Sequence, residues 1–288
     1  MTNKDEYTVR EHYVPKFYLK KFSTNKKQLY QLDISSNSPP KPVGIDSIAY
    51  RKDTYELKDS NGEYIERNLL EKHLSVLERI SSKYYKTIEA KAFNRQNLTC
   101  HSFLTTEEKA ILILFTALMY TRNPQTINLA KETAHEYFGK ELSSNTCDNI
   151  AMLSCLPIYK GFNENDKSLL MMLIDKYFSN KAFHIYVSTT ACFWTSDFPV
   201  ILFGDNSCNK VDAIYFPLSS RLALELIDID ILDDKTCKNI LIEADAKYIF
   251  VRNLNIASNC VRWIYSEKEL SEYEIKRARK AKHSHIIK

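Results

Sequence analysis

Glycine is scarce, with five residues in a chain of 288. None stands in G-x-G, and neither G-x-x-x-x-G-K-[ST] nor G-x-S-x-G occurs. A dinucleotide-binding turn, a P-loop and a nucleophile elbow need those glycines for backbone reasons, so these three enzyme classes are excluded at the outset. The seven cysteines are odd in number, widely spaced and never arranged as C-x-x-C. With no secretory leader ahead of them, they predict reduced thiols in an intracellular, cytoplasmic protein, several buried as small apolar side chains. No apolar run reaches the ~18 residues of a membrane span. The longest candidate, "AILILFTALMY" from Ala110, is bounded by charge on one side and Arg122 on the other, and reads as a core helix.

A net charge of +4 is too small to argue for nucleic acid by itself. Its placement says more. From His12 to Leu32 there are five lysines and no acid, and the closing stretch "IKRARKAKHSHIIK" has six basic residues and no carboxylate side chain. Two basic ends could face one polyanion, with Lys16, Lys20 and Lys21 on the arm and Arg277, Arg279 and Lys280 on the tail. Solvated surface faces are the commoner explanation of such runs.

The pattern of elements predicts an α+β fold. A β-rich entry region follows an aromatic arm: "QLYQLDI" (Gln28 to Ile34) alternates as a strand, and "IAYRKDTYEL" is a second extended piece. A long amphipathic helix is expected over about Ile65 to Ala92, and "TTEEKAILILFTALMYTRNP" has a threonine cap, acids in its first turn and Pro124 at its end. Helical patterns continue through "TINLAKETAHEYFGKEL" and "NENDKSLLMMLIDKYFSN". Short alternating runs such as "AFHIYVST" and "RLALELIDI" then predict an antiparallel sheet, followed by a helix, a short strand and a charged terminal helix. One unit spanning 1–288 is expected, made of the arm and entry region (1–60), a helical part (61–180), a sheet-rich part (181–266) and a basic helix or tail (267–288).

Three sites invite chemistry. His12 lies in the arm "EHYVPKFYLKKFS", where an imidazole could be general base, metal ligand or a structural hydrogen-bonding group. Ser196 and Asp197 close a strand in "TSDFPV", from which a carboxylate could project into a cleft or bond its own backbone in an Asx turn. Arg122, in the last turn of an apolar helix, needs an anion, and the glutamates Glu66, Glu71 and Glu78 of the long helix are the obvious source. Glu71 and Glu78 are seven apart and share a helix face, so they could instead serve as metal-binding carboxylates. "HEYFG" carries half of a zinc-protease helix, but Gly139 stands at the second histidine position.

These segments together resemble a family. "HYVPKFYLKKF" is similar to the opening motif of the bacterial DUF4238 family, and a glutamate-bearing helix, "RNP", "TSDFPV", "FPLSS" and "NLNIASNCVRWIYS" follow in that family's order. Members often carry proline where this chain has the serine after "PLS". Asn253 or Asn255 matches the family's asparagine. The family has no assigned function, so the resemblance implies no reaction, only that His12, Arg122, Ser196, Asp197 and Asn253 converge. Such a set would equip a metal-assisted hydrolase acting on a phosphate-bearing substrate such as nucleic acid. His12 would be general base or ligand, and Asp197, Glu78 and Glu71 would hold water or a divalent ion such as Mg²⁺, with Arg122 as the anion clamp. The competing expectation is a non-enzymatic binding or regulatory module in which the same residues form a buried polar network. In either case the arm should dock Tyr13, Phe17, Tyr18 and Phe22 into the core, alternation leaving its lysines outside.

Overall fold

Alternation along the strands decides the main layer. In β9 (Leu222–Asp228), Leu222, Leu224 and Leu226 join one buried cluster while Ala223 joins another; in β8 (Lys210–Pro217), Ile214 and Phe216 divide from Tyr215 in the same way. Both faces are therefore covered, as the period of two requires when every second residue must still be buried. The computed structural model describes residues 10–94, 102–156, 168–205, 210–234 and 236–285. Cys100, Cys208 and the 163–167 start of an expected helix lie outside these residues.

The five-stranded sheet has the order β10 (Asn239–Glu243), β5 (Lys181–Val187), β9, β8, β7 (Ile201–Asp205). Its interior pairings are antiparallel, but β10 runs parallel to β5, from Asn239 opposite Phe183 to Glu243 opposite Val187. The expectation of a wholly antiparallel sheet is thus corrected to a mixed one. A second sheet of four strands, β3 (Lys41–Gly44), β2 (Gln28–Asp33), β11 (Trp263–Ser266) and β6 (Thr195–Ser196), joins the entry region to the far end of the chain. Two further strands, β1 (Arg10–His12) and β4 (Tyr50–Lys52), pair antiparallel with His12 opposite Tyr50.

On one side of the large sheet lie α2 (Leu69–Phe93) and α3 (Thr106–Thr121), whose Leu74, Ile88, Leu112, Phe115 and Leu118 share the cluster of the β9 leucines. On the other lies α7 (Ala246–Asn259), with Ile249 and Ile256 against Ala223 and Tyr215, backed by α8 (Glu272–His285). The α+β class holds, helices mostly first and strands mostly later.

Local chemistry sets the ends. Thr105 accepts the Glu108 amide at 3.2 Å and the Glu108 carboxylate returns to the Thr105 amide at 2.8 Å, a complete capping box for α3. The long helix starts at Leu69, later than the expected Ile65. Asn68 takes a left-handed φ of 58° there, and its amide and side chain both donate to Glu56. The "IAYRKDTYEL" piece contracts to β4. Downstream, α4 (Pro124–Phe138) and α5 (Ser144–Cys155) pack together, and α6 (Leu169–Leu173) runs straight into a π-helical turn, Ile174–Phe178. Among the described residues no helix is long and apolar enough to cross a membrane.

The arm departs from alternation. Lys16–Leu19 forms α1 and Lys20–Phe22 a 3₁₀ turn, with Pro15 at the N-cap, where its carbonyl accepts the Leu19 amide at 3.0 Å. Tyr18 and Phe22 are fully buried, and Tyr13 and Phe17 pack partly buried against the same core. The Tyr18 ring stacks on Phe216 at 5.2 Å between centroids. Its hydroxyl bonds Thr195 Oγ1 and the Pro217 carbonyl, each at 2.7 Å.

Candidate functional site

Arg122 ends α3, and Asn123 caps α4 one residue later, so two polar side chains leave a single tight corner. The guanidinium is fully buried. Its Nη1 donates to Glu78 Oε1 at 2.7 Å and its Nη2 to the main-chain carbonyl of His12 at 2.5 Å. The Tyr55 hydroxyl in turn donates to the Arg122 carbonyl at 3.2 Å. Arg122 therefore finds its anion on the long helix as expected, but it meets His12 through the backbone and not through the imidazole.

Asn123 uses both ends of its amide. Its oxygen accepts the Gln125 amide at 3.0 Å, and its nitrogen donates to the Asp197 carbonyl at 2.7 Å. Asp197 is 3% exposed and projects into no cleft. It forms no Asx turn either: Oδ1 accepts the Val261 amide at 2.8 Å, and Oδ2 accepts those of Arg262 and Trp263 at 2.9 and 3.1 Å. Burial pushes its carboxyl up to about 6 in spite of the three amides. Ser196, also buried, accepts the Phe198 amide at 3.1 Å.

Asn253, rather than Asn255, reaches this region. From inside α7 its oxygen accepts the Trp194 amide at 2.8 Å and its nitrogen donates to the Cys192 carbonyl at 2.9 Å. Two turns on, Asn259 donates to the carbonyls of Phe198 and Val200 at 2.9 and 3.1 Å. Three asparagines thus hold the segment from Cys192 to Val200 by its main chain, and Asp197 within it ties that segment to the amides of Val261, Arg262 and Trp263.

The arm contributes a different environment. Glu11 is fully buried; Oε2 accepts the Tyr55 amide at 2.8 Å, while Oε1 has no partner. Burial, with the charges of Glu71 and Glu56 nearby, pushes its carboxyl up to about 7. The His12 imidazole lies 5.6 Å from the Tyr50 ring with Nε2 unpartnered, and burial together with Lys16 pushes it down to about 4. Burial also raises Glu71, whose Oε2 is without a partner, as is Nε of Arg122.

The carboxylates named for a metal do not converge, since Glu78 is given to Arg122 and Asp197 to three amides. Among the described residues no three His, Cys, Asp or Glu side chains form a group able to hold a metal ion. Of the basic residues, Lys16 pairs with Asp46 at 2.7 Å, Lys21 bonds Glu89, and Arg279 donates to the Ser38 carbonyl at 2.8 Å. The Lys21 carbonyl accepts the Ser220 amide at 3.0 Å, a bond that the proline often found at this step in the family could not make.

Sequence reasoning missed Glu11, Asn123 and Asn259, and also a polar group under α7. There Glu225, 4% exposed in the middle of β9, accepts from Tyr248 at 2.9 Å and pairs with Arg252. Arg252 lies over the rings of Phe203, Tyr215 and Tyr248 at 5.2, 5.4 and 5.1 Å. The available signal was a carboxylate interrupting the apolar alternation of "LALELID".

No curated protein and no solved structure matches the chain. A family model described as a protein of unknown function (DUF4238) matches residues 10–269, nearly the whole of the described molecule, and the chain belongs to that family.

Proposed function

We propose that the protein is a non-enzymatic binding module in which the motif residues act as a buried polar clamp. The observation that carries this is the destination of the motif side chains. Arg122, Asn123, Asp197 and Asn253 bond main-chain atoms of distant segments, and Arg122 and Asp197 are sealed from solvent. Groups so engaged hold a structure well and reach a substrate poorly.

Arg122→Met and Asp197→Ala test the clamp by urea unfolding. Loss of the guanidinium strands Glu78 and the His12 carbonyl, and loss of the carboxylate strands three buried amides. Each variant is expected to lose about 3 kcal/mol. His12→Asn, which keeps the carbonyl that Arg122 uses, is expected to retain most of its stability.

One observation favours the hydrolytic alternative. Glu11 Oε1, His12 Nε2, Glu71 Oε2 and Arg122 Nε are buried without partners, and unsatisfied polar atoms invite a ligand or water. In that case His12 would act as base with Glu71 positioning water, and Lys16, Lys20, Lys21, Arg277, Arg279 and Lys280 would contact a nucleic-acid backbone. Incubation of the wild type with RNA, DNA and a phosphodiester dye, each with Mg²⁺, separates the two. Cleavage that vanishes in a normally folded His12→Asn variant would sink the clamp as the whole account.

A further inference from the structure

The motif network leaves one large feature unused. Between α4, α5, the α6 π turn and the strands β7 and β8 lies a groove of about 520 Å³. Ligand pockets run roughly 300–1,000 Å³ and are lined by apolar and aromatic groups with a few placed polar ones. Ala130, Ala134, Ala151 and Gly204 give this groove small-residue surfaces. Tyr120, Tyr137, Phe138 and Tyr177 supply rings.

Several observations mark it as more than a packing gap. Leu129 and Tyr137 on its walls are 64% and 75% exposed, apolar surface that water contacts when the groove is empty. Leu173 and Tyr177 come from the junction of α6 with its π turn, a distortion of the helical ladder that is frequent at functional sites. Gly204 sits at a register shift between β7 and β8 where a Cβ would stand 2.0 Å from the Lys210 carbonyl, so the strand can bend there only as glycine.

Charge selects the occupant. Lys210 is the one ionised side chain among the described lining residues, and no described carboxylate lines the groove. Its side chain is half exposed and its ammonium lies 3.8 Å from Asp212, a loose contact that leaves donors for another partner.

We infer that this groove binds a small amphipathic anion, with an apolar body along the Ala130–Ala134 face of α4 and its negative group at Lys210. The assignment deepens the binding-module reading by naming a ligand class, but its evidence is separate from the clamp. Hydrolysis dependent on His12 would overturn that reading and leave binding at the groove untouched.

The test is a fluorescence titration of the full chain with anilinonaphthalene sulfonate, with decanoate, naphthoate and decanol as competitors. Saturable binding is expected, with displacement by decanoate if the body is an acyl chain and by naphthoate if it is aromatic. Decanol should compete more weakly than decanoate. Ala130→Trp, which fills the groove, and Leu129→Glu, which sets a carboxylate on an exposed rim position, should each abolish binding with thermal unfolding unchanged. Should Ala130→Trp fold poorly, Leu129→Glu decides alone. Lys210→Gln should weaken the anions roughly two- to fivefold and leave decanol unaffected. Unsaturable probe fluorescence, equal binding by Leu129→Glu, or equal competition by decanol and decanoate would overturn the assignment. A concentration-dependent dimer that excludes the probe would overturn it too, handing the groove to a second copy.

Discussion

Neighbouring residues on β1 titrate in opposite senses. In the fold Glu11 keeps its proton up to about 7, whereas the unfolded chain releases it near 4.5, so the folded state binds the extra proton and stability falls as pH rises through that window. His12 stays neutral in the fold down to about 4 but protonates near 6.5 when unfolded, so its contribution is lost as pH falls from 6.5 to 4. Asp197, raised to about 6 from 3.8, acts in the same direction as Glu11. The urea midpoint measured from pH 4.5 to 6.5 should therefore fall more steeply with rising pH in His12→Asn than in the wild type, and less steeply in Glu11→Gln. Identical pH profiles for the three proteins would show that neither side chain is buried as described. Arg122 was legible in the sequence because a charge ending an apolar helix must be paired. The role of Asp197 was not, since its partners are amides, which every residue from Val261 to Trp263 carries alike.

At the scale of elements, periodicity served well where one face had to be buried. The spans of β2, α3, α7 and β11 follow their patterns closely, and the α3 start rests on a capping box visible as T-T-E-E. Thr105→Ala is expected to cost about 1 kcal/mol in urea unfolding, with little change in helical content at 25 °C. Gly204→Ala should cost about 1–3 kcal/mol, since its methyl group meets the Lys210 backbone and not a side chain that can swing away. Patterns failed where a partner outside the segment decided the outcome. The parallel seat of β10 beside β5 leaves no local trace, and the late start of α2 follows from Glu56 holding Asn68. The lysines of the arm point outward for helical reasons, although Lys21 still turns back to Glu89.

Across the whole molecule the buried bonds of Arg122, Asn123 and Asp197 link segments far apart in sequence. One buried cluster runs from Val14 in the arm through α2 and α3 to Leu241 and Tyr265, so the first three of the four sequence regions share a core, while Leu270 and Ala278 of the last belong to the cluster under α7. Unfolding should be a single transition, with far-UV dichroism, dominated by the helices, coinciding with fluorescence from Trp194 and Trp263 beside the small sheet. Separated midpoints would mean that the sheet-rich part is an independent unit. The α+β class was legible because helices and strands segregate along the chain. The arrangement of the site was not, because it is made by side chains reaching for backbone that sequence cannot number.

The span of those bonds has a kinetic side. His12 and Arg122 are 110 residues apart, Tyr18 and Thr195 177, and Asp33 and Arg262 229. Closing loops of that length comes late in folding, since the entropy of closure is lost before the contact can return it. During synthesis the aromatic arm is made before β6, β8 and β11 and must wait for them before Tyr18 and its neighbours can be covered. For that interval the arm's rings stand as uncovered apolar surface, and the lysines interspersed through it oppose the association of such surfaces.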